Sequence, residues 1–203
     1  MVTVEVSRER PSLRQAQLAA TRERLLDATM EVIEQGGEPT MRAIAKHAGV
    51  GERTIYRYFA TRDELEQAVG GRLHGRTGAA PPTSLDDFEP YVERLFGAFA
   101  ANRELLAVLV SAKWAQDVFP RTRRRNLAAF VDVLAEAFPD VDADECRAVA
   151  ASMRISLSGA GWMYLSDCGF TDEETIAHGK WVVRQAIDTL TRAQRRARRK
   201  ARP

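Results

Sequence analysis

Apolar residues recur at three- and four-residue intervals along most of this 203-residue chain, and these recurrences predict helices. In the segment Thr21 to Gln35, the residues Leu25, Leu26, Thr29, Met30, Val32 and Ile33 fall on one helical stripe, and Gly36-Gly37 ends it. Residues 1–20 read as a flexible, polar, basic arm. Met41, Ile44, Ala45 and Ala48 then stand at i, i+3, i+4 and i+7 behind Thr40, a good N-cap, which predicts a short helix with one buried face. Ala48-Gly49-Val50 makes a turn, and a second short helix from Glu52 to Phe59 buries Ile55 and Phe59. Its residues Glu52, Arg53, Thr54 and Arg57 point outward. Two short helices joined by a glycine-containing turn form the helix-turn-helix pattern.

Thr61 opens a further helix as its cap, with Glu64 three residues later, and this helix carries Leu65, Ala68, Val69 and Leu73. Gly70-Gly71 interrupts it, either as a helix end or as a hinge. Thr77 to Ser84, with Gly78, Pro81 and Pro82, is the one linker-like stretch. Beyond it five helices are expected, over Leu85 to Ala101, Arg103 to Gln116, Arg121 to Phe138, Ala143 to Ser166 and Asp172 to Arg198. No segment of this region alternates convincingly with a period of two, so the expected class is all-α. The organisation expected is a helix-turn-helix domain over 21–62, a larger helical domain over 63–198 and a basic tail over 199–203.

Composition narrows the function. With 45% hydrophobic and 29% charged residues the chain is globular. Its net charge of +2 is uneven: seven basic residues lie in the last twelve positions, leaving 23 basic against 28 acidic residues and a net −5 before them. Attraction to phosphate must therefore come from local patches. No apolar run is long enough for a membrane span, and the start MVTVEVSRERPS lacks the apolar core of a signal peptide, so a cytoplasmic protein without membrane attachment is expected. Cys146 and Cys168, read within one helix, would stand about 33 Å apart, beyond disulfide reach, as reduced packing thiols unless Gly159 and Gly161 break that helix. The histidines His47, His74 and His178 have no metal-ligand spacing, and no phosphate loop or nucleophile elbow occurs. Neither a metal, a cofactor nor an enzymatic activity is expected.

The run GVGERTIYRYFATRDEL, residues 49–65, resembles the DNA-recognition segment of the tetracycline-repressor (TetR) family, and the likeness extends over about Leu18 to Leu73. Three positions depart from the usual pattern: Gly51 replaces a serine cap, Tyr58 a histidine and Arg62 a lysine. The resemblance implies a transcriptional repressor that leaves its operator when a small molecule binds. The physics of the motif agrees, because a major groove accepts one helix and residues near its N-terminus reach base edges. Arg53 suits guanine O6/N7 and Glu52 suits cytosine N4. Thr54, Tyr56, Arg57, Tyr58 and Arg62 suit the DNA backbone, with Thr40 and Arg42 at the start of the preceding helix. Arg8, Arg10 and Arg14 fit either a minor-groove arm or a solvated tail.

By the same resemblance, the ligand cavity lies among the first helices of the C-terminal domain and the long helix after them. That makes Phe99, Trp114, Phe130, Met153 and Leu157 candidate lining, although their spacing is equally that of a helical core. The last two long helices are the family's dimerisation pair. SLSGAGW, residues 156–162, offers small residues for close approach, and Trp181, Ile187 and Leu190 offer apolar contact. The partners expected are double-stranded operator DNA, a second copy of the chain and a small-molecule effector. Two rivals remain: a DNA-bound protein whose C-terminal domain binds another protein, and a helical enzyme.

Overall fold

The computed structural model describes residues 12–112 and 120–200, and every regular element among them is helical. The chain divides into two compact units, residues 1–69 and 70–203.

The first unit begins with α1, Leu13–Glu34, eight residues earlier than periodicity predicts. Its start is set locally. The Ser12 hydroxyl accepts from the Gln15 backbone N–H (3.3 Å), and the Gln15 side chain accepts from the Ser12 N–H (2.9 Å), a reciprocal capping box. This first stretch carries no apolar stripe because it buries nothing; Leu13 is 85% exposed. From Leu25 onward α1 packs against α2, Met41–Ala48, and α3, Glu52–Tyr58. Leu25, Ile33, Ile44, Ile55 and Phe59 form the fully buried centre. The Thr40 hydroxyl caps α2 by accepting from Ala43 N–H at 3.1 Å. Gly49 ends it at φ 66°, a left-handed conformation that glycine adopts without steric cost.

Helix α4, Arg62–Thr77, runs unbroken through Gly70-Gly71, so these glycines do not end it. Its start differs in detail from a capping box. Thr61 Oγ1 accepts from Glu64 N–H (3.2 Å), but the Glu64 carboxylate reaches back to Ala60 N–H (2.9 Å), one residue beyond the cap. The end comes at Gly78, where a Cβ would meet the His74 ring at 2.3 Å and the His74 carbonyl at 2.6 Å. Asn102 Nδ2 donates to the carbonyls of Arg76 (2.8 Å) and Ala98 (2.9 Å), satisfying acceptors that helix ends leave open.

In the second unit a 3₁₀ turn, Leu85–Asp87, leads into α5, Phe88–Ala101, followed by α6, Arg103–Ser111, and α7, Pro120–Ala137. The expected single helix from Ala143 to Ser166 is two helices, α8 at Ala143–Ser156 and α9 at Gly159–Asp167. Ser158 makes the break: its hydroxyl accepts from Gly161 N–H at 3.0 Å and starts a new helix. Cys146 and Cys168 therefore do not share a helix, and while Cys146 is buried, Cys168 is exposed just past the end of α9.

The last helix, α10, Asp172–Lys200, packs along α5, with further contacts to α8 and α9. Gly179 permits the approach to α5, since a Cβ there would meet Val92 Cγ1 at 2.7 Å. Ion pairs border this seam, Lys180 with Glu93 and Arg184 with Glu89.

The basic end of α10 is helical to Lys200, and Arg196 and Arg198 pair with Glu145 (3.8 Å) and Asp140 (2.6 Å). These arginines are more than 60% exposed, and exposed pairs contribute about 0–1 kcal/mol each. Truncation after Gln194 is expected to lower stability by no more than about 1–2 kcal/mol on that scale and to leave operator affinity within a few-fold. Gel-shift titration checks this, and a hundredfold loss of affinity would place the tail on DNA.

Candidate DNA interface and ligand cavity

Helix α3 is seven residues long and is anchored by the fully buried Ile55 and by Phe59 just past its end. With that face committed to α1 and α2, Glu52, Arg53, Tyr56 and Arg57 are left exposed together, and Thr54 and Tyr58 are half-buried at its edges. Arg53 has no ion-pair partner among the described residues, so its guanidinium edge is open to a bidentate acceptor. Glu52, in the first turn, also complements the helix dipole. Arg42 is exposed on the first turn of α2, beside the Thr40 cap.

The end of α3 is tied back to α1. Arg57 Nη2 donates to the Tyr58 hydroxyl at 3.3 Å, and the Arg22 guanidinium lies 4.7 Å above the Phe59 ring. Hydrogen bonding to Thr21, and then to Arg57, pulls the Tyr58 hydroxyl below its ordinary value. A shallow cleft beside Tyr58 is lined from α1 by Arg14, Gln17, Thr21 and Arg24. His47 on α2 meets Glu31 on α1 at 2.5 Å.

Arg62 is placed differently from the other candidates for the DNA backbone. It pairs with Glu66 (2.8 Å) and Glu38 (3.7 Å), which raise its guanidinium above the ordinary value. In this state its charge fastens the start of α4 to the α1–α2 connection, and a phosphate would have to compete with two carboxylates.

The second unit holds a cavity of about 600 Å³, a size that accepts a drug-sized ligand. Its walls are Gly70, His74 and Thr77 of α4, Phe99 of α5, Leu106, Leu109 and Val110 of α6, and Arg123 and Leu127 of α7. Ala151, Arg154 and Ile155 of α8, with the junction from Leu157 to Ala160, complete it.

Of the candidate lining residues, Phe99 and Leu157 are in the wall. Phe130 and Met153 are not. Both are fully buried in the core, where Phe130 meets the rings of Phe88 (5.0 Å) and Tyr91 (5.5 Å) edge-on. An inward helical position is the same in sequence whether a neighbour or a void faces it. Trp114 lies outside the described residues.

Sequence reasoning missed the polar wall, His74, Thr77, Arg123, Arg154 and Ser158. Arg154 carried a signal. It stands four residues after the buried Ala150 and three before the buried Leu157, so a charge interrupts an apolar stripe. Burial, then the charges of Arg125 and Arg154, push the His74 imidazole below its ordinary value.

A histidine lowered in the fold favours the neutral form, so the associated stability is whole above the ordinary value of about 6.5 and lost as pH falls through the lowered one. Wild type is therefore expected to lose stability faster than His74→Gln below about pH 6.5. Urea midpoints across pH 4.5 to 7.5 check this, and parallel curves would refute it.

The sequence pattern of the bacterial regulatory proteins of the tetR family matches residues 25–69, which span α1 from its first buried residue through α3 into α4. Over 131 residues the chain is 34% identical to the HTH-type transcriptional repressor LfrR of Mycolicibacterium smegmatis, covering 64% of this chain and 68% of that one. The chain belongs to the tetR family. It is a DNA-binding transcriptional repressor of that family, and its relatives are regulators of transcription.

The repressor KstR of Mycobacterium tuberculosis is 42% identical over 60 residues, 29% of this chain and 27% of KstR. The fold of this tetR-family repressor is that of a TetR-like regulator from Rhodococcus sp. RHA1, with TM-score 0.57 at 18% identity, over 83% of this chain and 97% of that one. Among the described residues no helix is long and apolar enough to cross a membrane, and no cluster of three or more His, Cys, Asp or Glu could hold a metal ion.

Proposed function

We propose that this repressor acts as a homodimer on a pseudo-palindromic operator and leaves it when a small molecule enters the cavity of the second unit. The observation that carries the effector half of this reading is the cavity itself: about 600 Å³ with both apolar and polar walls. In the DNA half, Arg53 and Glu52 read bases. Thr40, Arg42, Thr54, Tyr56, Arg57 and Tyr58 hold the backbone, and Arg62 joins them where phosphate displaces Glu38 or Glu66.

Two recognition helices about 34 Å apart serve a two-fold site, which favours a dimer. Tyr164 on α9 and Trp181 on α10 remain 69% and 54% exposed, apolar surface that a second copy of the chain would cover. Phe170, His178 and Trp181 form a run of ring contacts at 6.4 and 5.8 Å.

Other residues expected at the dimer contact are spent within the chain. Leu190 is fully buried in its own core. Gly159 is close to Leu106, where a Cβ would sit 2.6 Å from Cδ1, and Gly161 is close to the Ser156 carbonyl at the α8–α9 corner.

The test is selection of bound fragments from genomic DNA, then release of the recovered operator by a panel of small molecules. Release by none of them, with tight DNA binding retained, would favour the reading in which a protein partner takes the place of the ligand.

Gly70-Gly71, inside an unbroken α4, favours a point of compliance over a helix stop. A Cβ at Gly71 meets nothing within 4 Å, so Gly71→Ala is expected to stabilise the protein by about 0.5–1 kcal/mol. If α4 flexes there during release, the same variant also alters the ratio of operator affinities with and without effector several-fold. An unchanged ratio at saturating effector would remove the hinge.

A further inference from the structure

We infer that the cavity of the second unit selects an anionic amphiphile, an apolar body ending in a carboxylate or a similar anion, with Arg154 as its anchor. This rests on the reading of the cavity as the effector site and goes on to name the effector's charge.

The described wall contains Arg154, Arg123 and His74 and no Asp or Glu. Arg154 is half-buried, and no carboxylate lies within ion-pair distance of it among the described residues. Its two contacts are neutral: Nη1 donates to the Tyr91 hydroxyl at 2.8 Å, and the guanidinium lies 5.1 Å from the centre of the Phe130 ring. Burial raises Tyr91 above its ordinary value, so it stays a hydroxyl and does not cancel the charge. Nε and Nη2 are left with no described partner, the geometry that receives a carboxylate bidentately.

A half-buried cation without a counter-ion is costly, and the cost falls when a ligand supplies the anion. The first turn of α9, from Gly159, is in the same wall and adds the positive end of a helix dipole. Apart from the hydroxyls of Thr77 and Ser158 the remainder is largely apolar, with Phe99, Leu106, Leu109 and Val110. A charged end and an apolar body fit this division. A cation would face the Arg154 guanidinium and a helix N-terminus, and an uncharged amphiphile would leave Arg154 as it is.

The test compares decanoate, decan-1-ol and decyltrimethylammonium, all below their micellar range, by titration calorimetry on the full-length protein. Decanoate is expected to bind about tenfold or more tightly than either of the others, a difference of about 1.4 kcal/mol or more. Arg154→Gln should erase that preference and Arg154→Lys should keep most of it, with thermal unfolding of both variants confirming that they fold.

If Arg154→Gln does not fold, the order of the three probes on wild type and on Arg154→Lys decides. Equal binding of decanol or the ammonium, or a preference that survives Arg154→Gln, overturns the inference and leaves a ligand cavity of another selectivity. Binding of none of the three also overturns it. The broader effector reading is judged separately, by operator release with the wider panel.

Discussion

Arg53→Ala is expected to cost about 1–3 kcal/mol at each half-site and to relax base preference at one operator position. On a two-fold operator the two losses combine to about 2–6 kcal/mol, the largest single-residue effect on DNA binding expected here. The reason is geometric. Arg53 is on the first turn of a helix whose opposite side is locked by Ile55, and it is exposed with no ion-pair partner among the described residues. Arg57, one turn later and bonded to the Tyr58 hydroxyl, is placed for phosphate. Arg57→Ala should therefore weaken all sequences alike and flatten the salt dependence. Binding profiles over a randomised operator library separate the two effects. Identical base preferences in wild type and Arg53→Ala would overturn the assignment.

Phe130→Ala is expected to lower the stability of the protein by about 3–5 kcal/mol, the range for removing a buried phenyl ring from a packed core. A domain is stable by only about 5–15 kcal/mol, so the loss is a large share of the total. Phe130 is fully buried, touches Phe88 and Tyr91 edge-on and lies beneath the Arg154 guanidinium. Its removal thus opens a void at the meeting point of α5, α7 and α8. Urea unfolding measures the effect. A loss below about 1 kcal/mol would show that Phe130 borders empty space instead of packed atoms.

The two variants mark how far the sequence could be read. The helix-turn-helix was legible because its signals are local: a Thr40 cap, an apolar set at i, i+3, i+4 and i+7, and a glycine at the turn. Each is satisfied within a few residues of itself, and so each survives translation from sequence to structure. The cavity was not legible in the same way. Phe99 and Phe130 both stand at inward helical positions and both belong to the core, yet of the two Phe99 alone also borders the cavity. Periodicity says that a side chain turns inward and says nothing of what it meets there.

By itself, then, the sequence determined the all-α class, the two short helices of which the second presents Glu52 and Arg53, and the polar face that stays exposed around them. Short-range capping and helical spacing suffice for these. Tertiary structure decided the rest. Helix α4 continues through Gly70-Gly71, where composition alone could not separate a helix stop from a hinge, and it ends where His74 crowds Gly78. Ser158 divides one expected helix into α8 and α9. Arg62 is drawn to Glu38 across the helix-turn-helix. His74 and Arg154, eighty residues apart in the chain, share one wall because α4 and α8 both border the same space. A contact between distant segments depends on how helices pack, and packing depends on the shapes of both partners at once, which no single stretch of sequence contains.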